Sequence, residues 1–374
     1  MRRSKVMGVL AAVLALGLGT AWASGTAGGF DASFGPGGAE VVRTLPTDLY
    51  EMDSRYVACR TVGGTAYTIF VRRVGNSTTG TGWAITRHLA DGSLDTGFGT
   101  AGEVVLFGGV GLSEPGSAIV DSNHFAHAVA IDADGKILVL GRSYESARGK
   151  KVNAASTLVR LDTDGTLDET FGSDGIVEVG VLDVCALALD ESASSYDIVV
   201  AGTDRLTTTS GGGGKGKKGG GSTSSSLGLV VLRYDDDGAL LHSFSDDFDD
   251  DQDARTIDLV LDTSGRIVVQ AAWNAGRVLL RYDELGDLDT SFGVGGRQVV
   301  EDANGFSMSR AYIGVDAADR VVVSGWSTDA TTVLRRYDDA LDEDLPLPNG
   351  WTFYEAQAGP VAVDSQGRLL VSLW

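Results

Sequence analysis

The chain has 374 residues, of which 30 are Lys or Arg and 51 are Asp or Glu, so its formal net charge is −21. Nucleic acids are recognised through their phosphates by basic surfaces, and this acidic balance therefore excludes a nucleic-acid-binding role. Hydrophobic residues make up 43% of the sequence, enough for a packed core. The 52 glycines are about twice the average usage of roughly 7%, which indicates many turns.

The N-terminus has the pattern of a secretory signal. Basic residues within Met1–Lys5 precede an apolar run over 6–19, and the small-residue cleavage pattern Ala21-Trp22-Ala23 follows. The apolar run is shorter than the roughly 20 residues that a membrane span needs. We therefore predict a signal peptide over residues 1–23, a secreted or periplasmic location, and one domain over residues 24–374 without a membrane span.

One phrase returns through the chain: Leu or Phe, then Asp, two variable positions, Phe and Gly. Clear copies begin at Phe30, Leu94, Leu167 and Leu288, and degenerate copies lie near Leu240 and Leu341. Successive copies are 48 to 73 residues apart. A period of this size is typical of stacked or radial supersecondary units.

Short alternating runs lie between these phrases. In each unit two runs flank an Asp-containing turn, as in 128–132 and 136–140, a third run precedes the phrase, and a fourth follows it. Alternation without helical spacing indicates antiparallel strands. Four short strands repeated about six times predict an all-β fold of the β-propeller type, with five to seven blades in a closed or nearly closed ring.

The phrase and its surroundings support a family resemblance. The pattern Leu-Asp-x-Ser/Thr-Phe-Gly-x-x-Gly, preceded by Arg-Tyr/Leu-Asp and by an Asp-x-Asp-Gly hairpin, resembles the bacterial delta-60 repeat and, more distantly, the NHL type of propeller repeat. The resemblance covers about residues 30–374. It implies an extracytoplasmic propeller-like fold, and it implies no particular activity.

An arginine recurs at the end of the third run of five units. These residues are Arg87, Arg160, Arg233, Arg281 and Arg336. A group present in every unit cannot define a single active site, so we predict that each arginine forms an ion pair between or within blades. The phenylalanines of the phrase are expected to pack between neighbouring sheets, beside glycines that adopt a positive φ.

Two acidic segments are candidate calcium sites. Asp162, Asp164 and Asp168 surround a glycine in one turn, and a run over 246–253 includes Asp249, Asp251 and Asp253. An EF-hand loop has glycine at its sixth position and a Glu at its end, and this turn has neither. Asp and Gly are also typical of plain turns. We therefore expect weak calcium binding at most, and no other cofactor.

The sequence contains none of the common catalytic motifs that mark hydrolases or metalloproteases. Cys59 and Cys185 are the only cysteines. The repeat alignment places them in non-adjacent units, so we interpret them as two small buried residues rather than a disulfide.

Three connections depart from the repeat and carry many basic residues. They cover 72–82, 142–156 and 203–226, and the last includes a Gly/Ser/Lys insertion at about 207–226 that we predict to be disordered. The candidate ligand-binding residues in these connections are Arg72, Arg73, Arg148, Lys150, Lys151, Lys215, Lys217 and Lys218.

These features favour a monomeric, non-catalytic scaffold that binds an extracellular protein or an anionic polysaccharide through its irregular loop face. Solvated loops without a ligand are the structural alternative. Two other functions stay open: a polysaccharide lyase or glycoside hydrolase with carboxylates at the central channel, and a weakly calcium-binding surface-layer or adhesion component.

Overall fold

The structure is a computed structural model. It describes residues 50–76, 80–107, 122–147, 150–180, 183–192, 195–210, 222–247, 255–273, 276–300, 308–316, 318–327, 332–337, 358–363 and 369–373. The predicted signal peptide, the first copy of the phrase at Phe30 and the degenerate copy near Leu341 lie outside these residues.

The described residues form six antiparallel sheets and contain no helix. Sheet 1 consists of β1 (Tyr50–Val62), β2 (Thr65–Asn76), β3 (Gly80–His88) and β4 (Glu103–Phe107). Sheet 2 consists of β5 (Ser122–Ile131), β6 (Ile137–Ala147), β7 (Lys150–Leu161) and β8 (Ile176–Val179). Sheet 3 consists of β9 (Asp183–Asp190), β10 (Asp197–Ser210), β11 (Ser222–Tyr234) and β12 (Leu240–Asp246).

The remaining sheets follow the same order of pairing. Sheet 4 consists of β13 (Arg255–Leu261), β14 (Ile267–Trp273), β15 (Gly276–Tyr282) and β16 (Arg297–Val300). Sheet 5 has β17 (Met308–Val315), β18 (Val321–Ser327) and β19 (Thr332–Tyr337), and sheet 6 has β20 (Ala358–Val363) and β21 (Leu369–Leu373). The predicted all-β class and the predicted hairpins are confirmed.

Each central sheet buries both of its faces. Val269 of β14 packs in the apolar cluster shared with sheet 3, whereas its neighbour Val268 packs in the cluster shared with sheet 5. Successive side chains of a strand point to opposite faces, so a sheet between two others needs apolar residues at nearly every position. This explains the continuous Val, Ile and Leu runs of the middle strands.

The first strands of the sheets lie innermost. β1 contacts β5, β5 contacts β9, β9 contacts β13, β13 contacts β17, and β17 contacts β20. The sheets are therefore arranged side by side around an axis lined by their first strands, a propeller-type arrangement. We call the end that carries the first-to-second-strand turns the turn end, and the end that carries the second-to-third-strand connections the ribbon end.

The recurring arginine is held within its own sheet by the recurring phrase. Arg160 forms an ion pair with Asp168 at 2.6 Å, and its guanidinium lies over the ring of Phe171, 4.5 Å from the centroid. Arg87 and Arg281 make the same two contacts with the corresponding Asp and Phe residues. The predicted ion pairs are confirmed, but these three arginines pair with the Asp of the phrase rather than with the Asp that follows them in the turn.

The same arginine also reaches the next sheet. Arg87 donates a hydrogen bond to the carbonyl of Thr163, and Arg160 donates one to the carbonyl of Asp236. Beside these bonds, the Gly172 amide donates to the carbonyl of Asp237 at 2.8 Å. A charged donor forms stronger hydrogen bonds than a neutral one, so this contact fastens sheet 1 to a turn of sheet 2, and sheet 2 to a turn of sheet 3.

The phenylalanine of the phrase fills the space between the two sheets. Phe98 and Phe171 are fully buried, as predicted. Gly165 of the next sheet has a φ of +90°, and a Cβ there would lie 3.0 Å from the Phe98 ring. The turn therefore needs glycine both for its backbone conformation and for the close approach of the ring.

Sheet 3 departs from this pattern. Leu241 stands where the phrase has Asp, and Arg233 instead pairs with Asp190 at 2.8 Å and Asp197 at 2.9 Å. His242 Nε2 lies 2.6 Å from the carbonyl oxygen of Leu285 in the turn of sheet 4. The degenerate copy near Leu240 is therefore part of the fourth strand, and a side chain takes over the contact to the next sheet.

A glycine-to-alanine substitution tests the packing between sheets 1 and 2. A Cβ on Gly141 would lie 2.0 Å from the Trp83 ring and 2.7 Å from the carbonyl oxygen of Phe125. We expect Gly141→Ala to lower the free energy of unfolding by about 1–3 kcal/mol, since neither the ring nor the backbone can move aside without loss of packing. Denaturant unfolding measures this change.

Gly180→Ala is the matched control, because nothing lies within 4 Å of a Cβ at Gly180. The control should unfold at the wild-type denaturant concentration. Equal stability of the two variants would contradict the packing described for this interface.

Candidate functional site

The ribbon end is unequal around the axis. The second and third strands have 12 and 9 residues in sheet 1, and 11 and 12 residues in sheet 2. In sheet 3 they have 14 and 13 residues. The corresponding strands have 7 and 7 residues in sheet 4, and 7 and 6 in sheet 5. The three long connections predicted as loops are thus largely paired β-ribbons.

The ribbon of sheet 3 shows how far this pairing extends. Thr207–Ser210 pairs with Ser222–Ser225 in an unbroken antiparallel register. Both ends of the insertion predicted to be disordered over 207–226 are therefore strand, because the backbone ladder continues through Ser and Thr residues that still suit a strand. Residues 211–221 lie outside the described part of the chain.

The candidate ligand-binding residues separate into two groups. Arg72 and Arg73 are buried: Arg72 pairs with Glu103 at 3.1 Å, and Arg73 lies over the Phe125 ring, 4.0 Å from its centroid. The expectation that these two are exposed loop cations is wrong, because β2 continues through both and both side chains pack inside the ribbon base.

Two of the other candidates lie among the described residues. Lys150 and Lys151 begin β7 and pair with Ala147 and Ser146 of β6. Arg148, Lys215, Lys217 and Lys218 lie outside the described residues. Of the candidates that remain, the structure thus places only Lys150 and Lys151, at the start of a ribbon strand.

The candidate calcium turn does not bring its carboxylates together. Asp168 faces Arg160 and Lys136, both at 2.6 Å, while Asp164 accepts a hydrogen bond from the Thr166 hydroxyl at 2.7 Å. Asp162 lies 3.4 Å from Lys136. Within the described ranges no group of three or more His, Cys, Asp or Glu residues could hold a metal ion. Asp249, Asp251 and Asp253 lie outside those ranges.

Both cysteines are free thiols. Cys59 is exposed and Cys185 is partly buried, so the interpretation as unpaired residues is confirmed while the predicted burial of Cys59 is wrong. The Cys59 thiol donates to the Thr68 hydroxyl at 3.5 Å.

A cluster of ionisable side chains lines the axis, and we call it the axial cluster. It contains one residue from each of five first strands, all partly buried: Tyr56, His127, Cys185, Asp258 and Tyr312. Cys185 lies near enough to Tyr56 and Asp258 for their ionisations to be coupled, and Tyr56 is coupled to Tyr312 in the same way. Asp183 begins β9 at the ribbon end of the axis and pairs with Arg142 at 2.5 Å.

The electrostatics of the axial cluster favour uncharged side chains. Burial lowers the pKa of His127, raises the pKa of Tyr56, and raises that of the Cys185 thiol well above its ordinary value. Each group is therefore neutral at pH 7, because burial penalises the charged form. The lining can donate and accept hydrogen bonds, but its only described ion pair is the one between Arg142 and Asp183.

Asp258 is the exception within the cluster. Burial raises its pKa to about 6, although its carboxylate accepts backbone hydrogen bonds from Leu259 at 2.9 Å and Ile313 at 3.3 Å. Directly opposite Asp258 on β14 lies Gln270, which is fully buried. Neither Nε2 nor Oε1 of Gln270 has a hydrogen-bond partner.

The axial cluster was not identified from the sequence. His127 and Cys185 both stand at a shift in strand register, between Ala126 and Ala128 in β5 and between Val184 and Ala186 in β9. Such irregularities redirect a side chain and are frequent beside functional sites. The sequence did offer one signal for these residues, a polar side chain inside an otherwise apolar first strand. That signal does not show that five first strands lie side by side at the axis.

One family model matches the chain. Residues 133–171 match the family described as "Domain of unknown function (DUF5122) beta-propeller". The match supports propeller-type repeats over one repeat unit and gives no activity.

Solved structures resemble the chain only distantly. A B. megaterium levansucrase variant is 12% identical with a TM-score of 0.43, and the alignment covers 83% of this chain and 87% of that one. The polysaccharide lyase Uly1 is 9% identical with a TM-score of 0.39, over 74% of this chain and 54% of that one. Similarity at this level establishes neither a shared activity nor a shared substrate. A search of curated proteins gave no match.

In the part of the chain that the structure describes, no helix is long and apolar enough to cross a membrane.

A pH-dependent comparison tests the environment of Asp258. A carboxyl whose pKa is raised from 3.8 to about 6 on folding destabilises the protein progressively as pH rises through 6. Asp258→Asn removes this titration. We therefore expect the free energy of unfolding of the variant, relative to wild type, to increase by about 1–2 kcal/mol between pH 5 and pH 7.5.

Chemical denaturation of both proteins at the two pH values measures this difference. Titrations that the two proteins share cancel in the comparison. A relative stability that does not change with pH would show that Asp258 has an ordinary pKa.

Proposed function

We propose that the protein is a secreted or periplasmic, monomeric β-propeller of six blades that binds an anionic extracellular glycan at its ribbon end without turning it over. The six described sheets support the proposed count of six blades.

The observation that carries the proposal is the extension of three successive ribbons at one end of the axis. A strand rises about 3.3 Å per residue, so the extra paired residues carry the ribbon tips well beyond the shorter hairpins of sheets 4 and 5. Lys150 and Lys151 begin the third strand of the second ribbon. In the sequence, Arg148, Lys215, Lys217 and Lys218 fall in the stretches that join the paired strands of the second and third ribbons, in a chain with net charge −21.

Charge is the physical basis of the proposed interaction. Six cations in two neighbouring connections of the sequence can meet a repeating anionic polymer at several points, and multiple weak contacts add up to useful affinity. Arg72 and Arg73 do not belong to this binding set, since their side chains are buried in the ribbon base.

A second candidate function rests on the axial cluster. Asp183 and Asp258 both interact with Cys185, so two carboxylates lie near the axis, one ion-paired with Arg142 and one with a raised pKa. Glycoside hydrolases use a pair of carboxyl groups, one of which acts as an acid with a raised pKa. Release of reducing ends, or of unsaturated products, from the polymer would support this enzymatic alternative.

Lysine replacement tests the binding function. We expect simultaneous Lys150→Ser, Lys151→Ser, Lys215→Ser, Lys217→Ser and Lys218→Ser substitutions to abolish retention on an immobilised acidic polysaccharide. Wild-type retention should itself fall steeply as salt rises, because the screening length decreases from about 10 Å at 0.1 M to about 3 Å at 1 M. We expect the melting temperature to stay within about 1–2 °C, as is usual when surface charges are replaced.

The matched control replaces the same five lysines by arginine, which keeps the charge and should keep the retention. Retention by the serine variant at the wild-type level would place the glycan-binding site elsewhere. Chain cleavage by purified wild-type protein would overturn the proposal of binding without turnover.

A further inference from the structure

We propose that the junction of sheets 3 and 4 at the turn end is a docking surface for a short segment of a partner protein, in which apolar side chains are flanked by Lys or Arg. The surface consists of Leu240, Leu241 and Leu285, and we call it the leucine patch. The proposal does not rest on glycan binding, since the patch and the ribbons lie at opposite ends of the sheets.

Leu240 is exposed where the corresponding leucines are covered. It occupies the first position of the recurring phrase, and its side chain is 55% exposed. In the other sheets the phrase folds back on this leucine, so that a Cβ on Gly102 would lie 3.1 Å from the Leu94 side chain. Sheet 3 continues into β12 instead. The leucines that keep their cover, and are only partly exposed, are Leu94, Leu167 and Leu288.

Leu241 and Leu285 both stand at positions where other units have Asp. Leu241 replaces the Asp of the phrase and is 54% exposed. Leu285 is 64% exposed and precedes the glycine of the turn between β15 and β16. The residues at that position in the turns of sheets 1, 2 and 3 are Asp91, Asp164 and Asp237, all exposed. Two solvated acidic positions of the repeat have thus become apolar.

These departures from the repeat meet at one place. His242, which directly follows Leu240 and Leu241, has its Nε2 2.6 Å from the carbonyl oxygen of Leu285. Beside this contact, a Cβ on Gly286 would lie 2.4 Å from the Phe244 side chain, so the two sheets are closely packed. Single exposed apolar residues are common, but a contiguous group of them marks an interaction surface. The packed junction also holds the patch in a fixed shape before a partner binds, which lowers the cost of binding.

Charge identifies the kind of partner. The sequence contains no Lys or Arg between Arg233 and Arg255, and none between Arg281 and Arg297. These two stretches contain the whole patch. Exposed acidic residues are close in sequence to its leucines on both sheets, namely Asp237, Glu284 and Asp287.

An apolar centre with an acidic surround is complementary to apolar side chains between cationic ones. A second copy of the same patch would instead bring two acidic surrounds together, which is unfavourable because like charges repel. The occupant that the charges favour is therefore a basic, apolar segment of another protein.

Fluorescence anisotropy at 0.15 M salt tests the proposal, with the labelled peptide Lys-Lys-Leu-Val-Leu-Val-Lys-Lys as the probe. We expect saturable binding to the wild-type protein and at least tenfold weaker binding to the variant that combines Leu240→Ser, Leu241→Ser and Leu285→Ser. Should this variant not fold, Leu285→Ser alone changes one exposed turn residue and should weaken binding at least threefold.

Two kinds of control separate the patch from general attraction to an acidic protein. Val294 is 81% exposed on sheet 4 outside the patch, so Val294→Ser should bind the probe as wild type does. Peptides with Glu in place of Lys, or with Ser in place of Leu and Val, should bind wild type at least tenfold more weakly. Combined Asp237→Asn, Glu284→Gln and Asp287→Asn substitutions should weaken binding of the probe and reduce its dependence on salt.

Three results would overturn the proposal. The first is absence of saturable binding to wild type, and the second is unchanged affinity in both the triple serine variant and Leu285→Ser. The third is self-association of the wild-type protein in sedimentation equilibrium that the triple serine variant loses, because a second copy would then be the occupant.

Discussion

The described sheets 1 and 2 each depend on one guanidinium group that is held by its own sheet and bound to the next sheet. Arg160 is fixed by Asp168 and by the ring of Phe171, and it donates to the carbonyl of Asp236 in sheet 3 and to the hydroxyl of Tyr196 at 3.0 Å. The apolar faces of adjacent sheets supply most of the favourable free energy of burial, but apolar contact is not directional. The arginine adds direction, because its donors meet backbone carbonyls only when two sheets have the correct rotation and height.

This interaction divides the molecule into two ends with different constraints. At the turn end, the phrase, the Asp-Gly turn and the arginine must all fit together, so sheets 1 and 2 are nearly identical there. At the ribbon end, the fastening imposes no such demand, and ribbons of very different length are accommodated. The features that can differ from sheet to sheet, and can therefore define one site, are the ribbons and the first strands at the axis. The proposed glycan-binding site lies in these variable parts, whereas the leucine patch lies at a junction where a histidine makes the contact to the next sheet.

The sequence was sufficient for the all-β class and the four-stranded units because the repeated residues make local or nearest-neighbour contacts. The Phe-Gly phrase, the turns and the alternating runs predicted the four-stranded units, and the recurrence of Arg87, Arg160 and Arg281 predicted a structural ion pair. The exact Asp partner was not predicted, since the Asp two residues after Arg160 and the Asp eight residues after it are both near in sequence.

The site was less accessible to sequence reasoning for two physical reasons. Arg72 and Arg73 were assigned to an exposed loop because a strand that continues through charged residues looks like the start of a loop. Their burial depends on Glu103 and Phe125, which are distant in sequence. The meeting of His127, Cys185 and Asp258 depends on three strands from three sheets, and no periodicity within one strand contains that information.

Hydrogen exchange on Arg160→Met tests most directly the claim that the arginine joins neighbouring sheets. The amides of Asp235 and Gly238 close the turn of sheet 3 that Arg160 contacts, and the amides of Asp283 and Gly286 close the corresponding turn of sheet 4. We predict faster exchange in the sheet 3 turn and unchanged exchange in the sheet 4 turn, because only the former loses a contact across the interface. Faster exchange confined to sheet 2 would contradict the account, since it would show that the arginine stabilises its own sheet and does not fasten the next one.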